Sequence, residues 1–358
     1  MNTFGKNIRL SIFGESHGKL IGITIDGIPS NLPLDLEAIK NNLAKRHGQQ
    51  DLSTERREKD EFEIVSGYFN NKTTGAPLTI IIKNNDVISS AYEKGEIRPS
   101  HADLPAYLKY LGANDYRGGG HSSGRLTACL VIAGSICEQI LKSSNIPVKV
   151  YSYVSSLHNI KAPKIDLPSL TKEIENFKDN DFTLSSVKQD MINEIVKAKE
   201  NNDSLGGTID TIICPCPATL GEPFFDSFES ILSHLLFSIP GVKGILFGDG
   251  LGLALQTGNE QIDEISLEND QIIFHSNHQG GINGGITNGN YVNFTSVVRA
   301  PSSTKTLKHS INLLKGENIN LSTKGRHDPT FVHRLLVVIN AITYIVLLEL
   351  LMEKRKNE

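Results

Sequence analysis

The chain has no tryptophan, three methionines and four cysteines in 358 residues, and aromatics make up 6% of it. Cys129, Cys137, Cys214 and Cys216 show no paired zinc spacing. Cys214-Pro215-Cys216 is one residue short of the usual C-x-x-C site. No signal-peptide pattern opens the sequence, so the expectation is a cytoplasmic chain with reduced thiols. Positive charge is not in excess either. The net charge of −4 gives no global basic field and argues against nucleic acid as a partner. Basic residues cluster only locally, at Lys45-Arg46 and at Arg56-Arg57 with Lys59. Long apolar runs are rare: one stretch, Leu335 to Met352, is long enough to suggest a membrane span. It contains Asn340, Thr343, Tyr344 and Glu349, and is expected to be a helix buried in a protein core, with no membrane partner.

What is present is periodic. Ile8, Leu10 and Ile12 alternate with polar residues, as do Ile21, Ile23 and Ile25, which predicts two strands. Leu36, Ile39 and Leu43 share one helical face behind a candidate N-cap, Asp35. "FEIVSGYFNNKTTGAPLTIIIKNND" reads as two strands around a Gly/Thr turn, and "GGTIDTIICPCP" as a strand ending in proline. The run from Leu126 is apolar nearly all round and predicts a central helix; "FESILSHLLFSI" predicts another, ended by Pro240-Gly241. A Lys/Asp/Asn-rich region, residues 157–202, carries one more helix and reads as a peripheral insertion in a single domain spanning 1–358. Strand pairs and helices alternate without regular βαβ winding. The expected class is α+β, antiparallel sheets packed on long buried helices.

Five stretches carry chemistry. In "NIRLSIFGESHGKLIGITIDGIP", Gly14-Glu15-Ser16-His17-Gly18 fits the G-x-S-x-G nucleophile elbow. An elbow turns from a strand into a helix on a sheet already built, whereas a second strand follows here, so Ser16 is disfavoured as a hydrolase nucleophile. "DYRGGGHSSGR", with Arg117, Ser122, Ser123 and Arg125, combines glycines, hydroxyls and cations before a helix, a pattern suited to phosphate; plain serine caps are the alternative. It nearly matches a P-loop, but Arg125 and Leu126 stand where lysine and Ser/Thr belong. "IRPSHADLPAYLKY" sets His101 beside Asp103 and Arg98, with Ser100 or Asp103 a candidate helix cap. "QGGINGGITNGN", followed by Arg299 and Ser302-Ser303, reads either as a second anion or planar-cofactor site or as a glycine-rich hairpin; "KGRHDPT" gathers Arg326, His327 and Asp328 before the last helix. The histidines show no metal-ligand spacing, so no metal is expected.

The order of these stretches is more telling than any one of them. G-E-S-H-G, T-x-R-x-E-x-D, R-P-S-H-A-D, D-Y-R-G-G-G, S-S-x-R, L-G-E-P-F-F-D, S-I-P-x-V-K-G, G-G-I-x-G-G-I-x-N-G and G-R-H-D-P together resemble the chorismate synthases over nearly the whole chain. The resemblance implies a lyase of the shikimate pathway of aromatic amino acid biosynthesis. It would convert 5-enolpyruvylshikimate 3-phosphate to chorismate by 1,4-anti elimination of phosphate, with reduced FMN (FMNH2). It implies His17 as the acid at the leaving phosphate and His101 beside flavin N1. Asp328 would stand beside flavin N5, in removal of the C6 proton. Flavin contacts would fall on His121, Ser122, Ser123, Gly284, Arg299, Ala300, Pro301, Ser302, Ser303 and Arg326, and substrate contacts on Lys45, Arg46, Arg56, Arg117 and Arg125. The implied fold is a β-α-β sandwich, two antiparallel sheets enclosing long helices, assembled as a homotetramer. Some relatives reduce their own flavin with NADPH or NADH; no GxGxxG follows a strand into a helix here, which leaves the reductant open. The rival is a non-catalytic flavin- or anion-binding homologue. Its discriminating features are Asp51 and His121, where arginines are usual, and Leu126 for glutamate; Arg299-Ala300 for Lys-Pro and Asn340 for glutamate are further departures from the family pattern.

Overall fold

The computed structural model describes residues 2–47, 52, 60–85, 89–178, 181–322 and 328–357. The first sheet comprises β1 (Thr3–Phe4), β2 (Arg9–Gly14), β3 (Leu20–Asp26), β4 (Phe62–Ser66) and β5 (Leu78–Lys83), in the order β1-β2-β3-β5-β4. All of its neighbours are antiparallel. The alternation read from the sequence decides its faces: Ile8, Leu10, Ile21, Ile23, Ile25, Leu78, Ile80 and Ile82 are buried. The second sheet comprises β6 (Val150–Leu157), β7 (Ile160–Lys161), β8 (Gly207–Ile213), β9 (Val242–Phe247) and β10 (Val292–Val298), in the order β9-β10-β8-β6-β7, again antiparallel.

Two long helices fill the space between the sheets. α3 (Thr127–Ser143) packs on β3, and α7 (Leu336–Asn357) packs on β6 and β8. Each lies against the other, so each is apolar on every side. Both are long and apolar enough to cross a membrane, yet in each 78% of the apolar window is buried inside the chain. This is the sandwich that the resemblance implied. The helices cross closely at Gly134: a Cβ there would stand 2.3 Å from Ala341 Cα and 2.4 Å from its carbonyl oxygen. In an isolated helix alanine outranks glycine. Here the clash is with backbone, and overpacking of this kind costs about 1–3 kcal/mol. Gly134→Ala therefore lowers the thermal unfolding midpoint; a raised midpoint would show a looser crossing.

Around this core, α1 (Leu36–Lys45) packs on α3, capped as expected by Asp35, which accepts from Ala38 N at 2.9 Å. Residues 157–202 hold α4 (Leu167–Glu175) and α5 (Ser185–Glu200), and Met191, Ile195 and Ala198 of α5 join the main core. α6 (Phe228–Leu236) lies on α7. Asn340 points at the second sheet, where it accepts from Ser152 Oγ at 2.5 Å. Glu349, also on α7, accepts from the backbone N–H groups of Lys6, Asn7 and Ile8 at 2.8–3.2 Å. That carboxylate pins the N-terminal segment across the helical layer, next to the cleft described below.

Candidate active site

One cleft of about 1270 Å³ runs between the N-terminal edge of the first sheet, the loop before α3, the C-terminal end of α6 and the start of α7. Sites for a single small ligand are usually about 300–1000 Å³, so this one has room for two side by side. His17, His101, Arg46, Arg125 and Asp328 all line it, although they are widely spread in sequence.

The turn Glu15–Lys19 between β2 and β3 presents His17. Asn84 Nδ2 holds the turn by donating to Glu15 O and Gly18 O, both at 2.9 Å. Ser16 is buried and spends its hydroxyl on Arg117 O at 3.4 Å. With a strand rather than a helix following, no nucleophile elbow forms. His17 Nδ1 lies 3.1 Å from Ser89 Oγ, and its ring stands edge-on to Tyr92 at 5.2 Å. Its Cδ2–Nε2 edge covers Gly118, where a Cβ would fall 2.4–2.5 Å away. Gly118 also has φ +62°, so glycine is needed there for both reasons.

His101 precedes α2 (Asp103–Lys109). Asp103 Oδ1 lies 2.7 Å from His101 Nδ1 and also accepts from Arg98 Nη2; Oδ2 accepts from Arg98 Nε. Neither Ser100 nor Asp103 caps the helix: the cap position is Ala102, without a side-chain bond. Asp103 serves the histidine instead. Burial alone would raise its carboxyl, but hydrogen bonds from His101 and Arg98 bring it well below the ordinary carboxylate range. A carboxylate only accepts, so Nδ1 carries the proton and Nε2, near Gly119, is left for a ligand. Arg98 also lies 5.2 Å from the centroid of Tyr92, so this one ring contacts both His17 and Arg98.

The cationic wall is organised by Asp60, whose side chain is 1% exposed. Arg46 Nη2 donates to Asp60 Oδ2 at 2.5 Å, and Arg125 Nη1 pairs with Asp60 Oδ1. Burial would raise the Asp60 carboxyl; Arg46 and Arg125 outweigh it and hold it below the ordinary value. His47 Nε2 lies 3.4 Å from Asp60 Oδ2, and burial lowers its pKa, so it is neutral at pH 7. Arg334 Nε donates to Arg46 O at 2.9 Å, and its Nη1 pairs with Asp328 Oδ2. Sequence reading gave no role to Asn84, Tyr92, Asp60 or Arg334. Only Asp60 carried a signal, as the last letter of T-x-R-x-E-x-D.

The loop before α3 carries Gly118, Gly119 and Gly120 at positive φ and two short 3-10 turns. Ser122 and Ser123 line the cleft, and Ser123 also caps Arg125 N at 3.3 Å. His121 lines it too, with Nδ1 donating to Gly14 O at 2.8 Å and Nε2 lying 3.1 Å from Asn2 Oδ1. Arg299, Pro301, Ser302 and Ser303 also line the cleft. Leu126, the other departure in the loop, adds apolar surface beside Leu130.

Some expected residues are not brought to the cleft. Lys45 is exposed and does not line the cleft. Arg117 is committed to Asp115 through Nε and Nη2, both at 2.8 Å. Ala300 offers its carbonyl to Arg299 Nη1 at 3.0 Å and does not line the cavity. Gly284 sits in a glycine-rich hairpin (Ile282–Asn283 with Ile286–Thr287) away from it. Arg56, Arg326, His327 and Asp51 lie outside the described residues.

Fold and cleft together define a class: two antiparallel sheets enclosing a helical layer, with one cavity lined by arginines and histidines. The chorismate synthase family profile matches residues 8–352. A chorismate synthase of Dehalococcoides mccartyi is 40% identical over 98% of this chain and 96% of the relative. One of Chitinophaga pinensis is 41% identical over 100% of this chain and 98% of the relative. A crystal structure of chorismate synthase superposes with a TM-score of 0.76 at 26% identity, covering 98% of this chain and 93% of that one. The chain belongs to the chorismate synthase family. That family places it among the lyases of the shikimate pathway.

Proposed function

We propose that this chain converts 5-enolpyruvylshikimate 3-phosphate to chorismate and phosphate by 1,4-anti elimination, with reduced FMN bound beside the substrate. The observation that carries the reading is the gathering of His17, His101, Asp328, Arg46 and Arg125 around one cavity large enough for two ligands. A phosphate and two carboxylates call for guanidinium partners, which bind such groups bidentately. Arg46, Arg125 and Arg334 supply three.

The leaving phosphate needs its developing charge neutralised, and His17 is the proton donor assigned to it. Asp328 is the base of the pair. Arg334 fixes its position. His101, oriented by Asp103, presents Nε2 to the cofactor.

The cavity suits a flavin. An apolar wall of Leu126, Leu130, Leu335 and Val338 would face the flat ring, while Ser122, Ser123, Arg299, Ser302 and Ser303 offer polar groups around it. When bound, reduced FMN supplies electron density to the allylic system without net redox change.

The exposed Phe224, Phe225, Leu251 and Leu255 support assembly with other copies, read here as a cytoplasmic homotetramer, and the whole chain is taken as one domain.

The test is anaerobic incubation with 5-enolpyruvylshikimate 3-phosphate and chemically reduced FMN. The expected result is equal release of chorismate and phosphate. Binding of both ligands without product would instead make the chain a non-catalytic homologue.

A further inference from the structure

We propose that Asn84 is a positioning residue that ties the His17 turn to the arginine wall; this rests on the reading of His17 as the acid. Asn84 follows β5, the strand beside the hairpin that carries His17. Its amide is used at both ends. Nδ2 donates to Glu15 O and Gly18 O, which flank Ser16 and His17, each at 2.9 Å. Oδ1 accepts from Arg125 Nε at 3.2 Å. Arg125 in turn reaches Asp60 through Nη1. One side chain therefore sets the separation between the proton donor and the guanidinium group.

The hydrogen-bond chemistry fixes which end faces which. Two carbonyls can only be met by a donor, and a guanidinium N–H only by an acceptor. An amide supplies both; neither a carboxylate nor an amine does. The other supports of the turn act elsewhere or through backbone: Ser16 N donates to Gly120 O at 3.1 Å, Gly18 N to Glu15 O at 3.0 Å, Asn84 N to Lys19 O at 3.2 Å, Ser16 Oγ to Arg117 O at 3.4 Å, and His121 Nδ1 to Gly14 O at 2.8 Å. The side chain of Asn84 is thus the only one among the described residues that braces the two carbonyls of the turn.

Asn84→Asp separates the two arms. It keeps the acceptor for Arg125 but sets a negative oxygen against the carbonyls of Glu15 and Gly18. The expected result is a fall in kcat of tenfold or more, larger than the rise in KM for 5-enolpyruvylshikimate 3-phosphate that the added charge beside Arg125 brings. Asn84→Ser, which reaches neither partner, should lower kcat and also raise KM; it stands in should the Asp variant fail to fold. Two further readouts do not require turnover. In histidine-selective NMR, the His17 resonances should shift in both variants while those of His101 stay in place. Calorimetry with inorganic phosphate should show weaker binding for Asn84→Asp, whose carboxylate adds negative charge beside Arg125, than for Asn84→Ser. A folded Asn84→Asp enzyme with wild-type kcat, or unshifted His17 resonances in either variant, would overturn the proposal. Should the wild-type chain make no chorismate, the functional reading fails, and the resonances and phosphate affinity still decide whether Asn84 holds the turn.

Discussion

His17→Ala lowers turnover by about 10²–10⁴-fold, the usual contribution of a positioned general acid, while substrate and reduced FMN still bind. The size follows from what His17 does and does not touch. Its ring is braced by Ser89 and Tyr92 and overlies Gly118, all on the loops that frame the cleft. None of the apolar wall depends on it. The arginines that would neutralise the ground-state phosphate are anchored on Asp60, and Asn84 joins them to the His17 turn through backbone carbonyls rather than through the imidazole. Loss of the imidazole therefore removes the proton that stabilises the leaving group and leaves the charge pairing intact, so kcat falls and KM moves little. The check is single-turnover phosphate release under anaerobic conditions, with flavin and substrate affinities measured separately. Turnover within threefold of wild type would remove His17 from the acid role.

The fold was legible where the sequence has a period. Ile21, Ile23 and Ile25 predict a strand by alternation and are each fully buried in β3. The all-round apolar runs after Leu126 and Leu335 require a helix without a solvent face, and a layer between two sheets supplies that environment. Caps were half legible. Asp35 caps α1, but Asp103 does not cap α2, because a half-buried carboxylate flanked by Arg98 and His101 gains more from two cationic or donor partners than from one backbone N–H.

The site was legible as motifs but not as a network. His17, His101 and Arg125 fall in conspicuous Gly- and Pro-rich stretches. Asn84 and Tyr92 do not, since a lone amide or phenol acquires its role only when distant carbonyls or rings come alongside. Arg117 shows the reverse case: an arginine in a glycine-rich loop looked free for a ligand, yet Asp115, two residues away, takes it. The departures also separate in space. His121 clamps Gly14 O, whereas Asn340 bonds Ser152 on the second sheet, remote from the cleft.

Asp60→Asn has the largest expected effect on stability, about 3–5 kcal/mol, the cost of breaking a buried ion pair by removing one partner. Asp60 is shared by two guanidinium groups that are themselves buried. Burial alone pushes Arg46 toward neutrality, and Asp60 is the group that opposes this. An amide in its place meets donors on both sides with only one acceptor oxygen, and leaves two adjacent cations in low dielectric. The pH dependence carries a definite sign. The folded-state pKa of Asp60 lies below its unfolded value of about 3.9. Its contribution is therefore fully present above that unfolded value and is lost as pH falls through the lower, folded one. Denaturant unfolding of wild type and Asp60→Asn should differ by a constant amount from about pH 7 to pH 8, where the adjoining His47 is neutral, and the two curves should converge as pH falls below about 4. Curves that stay parallel into acid would mean that Asp60 acts by packing rather than by charge. The same variant should bind inorganic phosphate with altered geometry and a raised KM for the phosphorylated substrate, because the two guanidinium groups no longer share a common anchor.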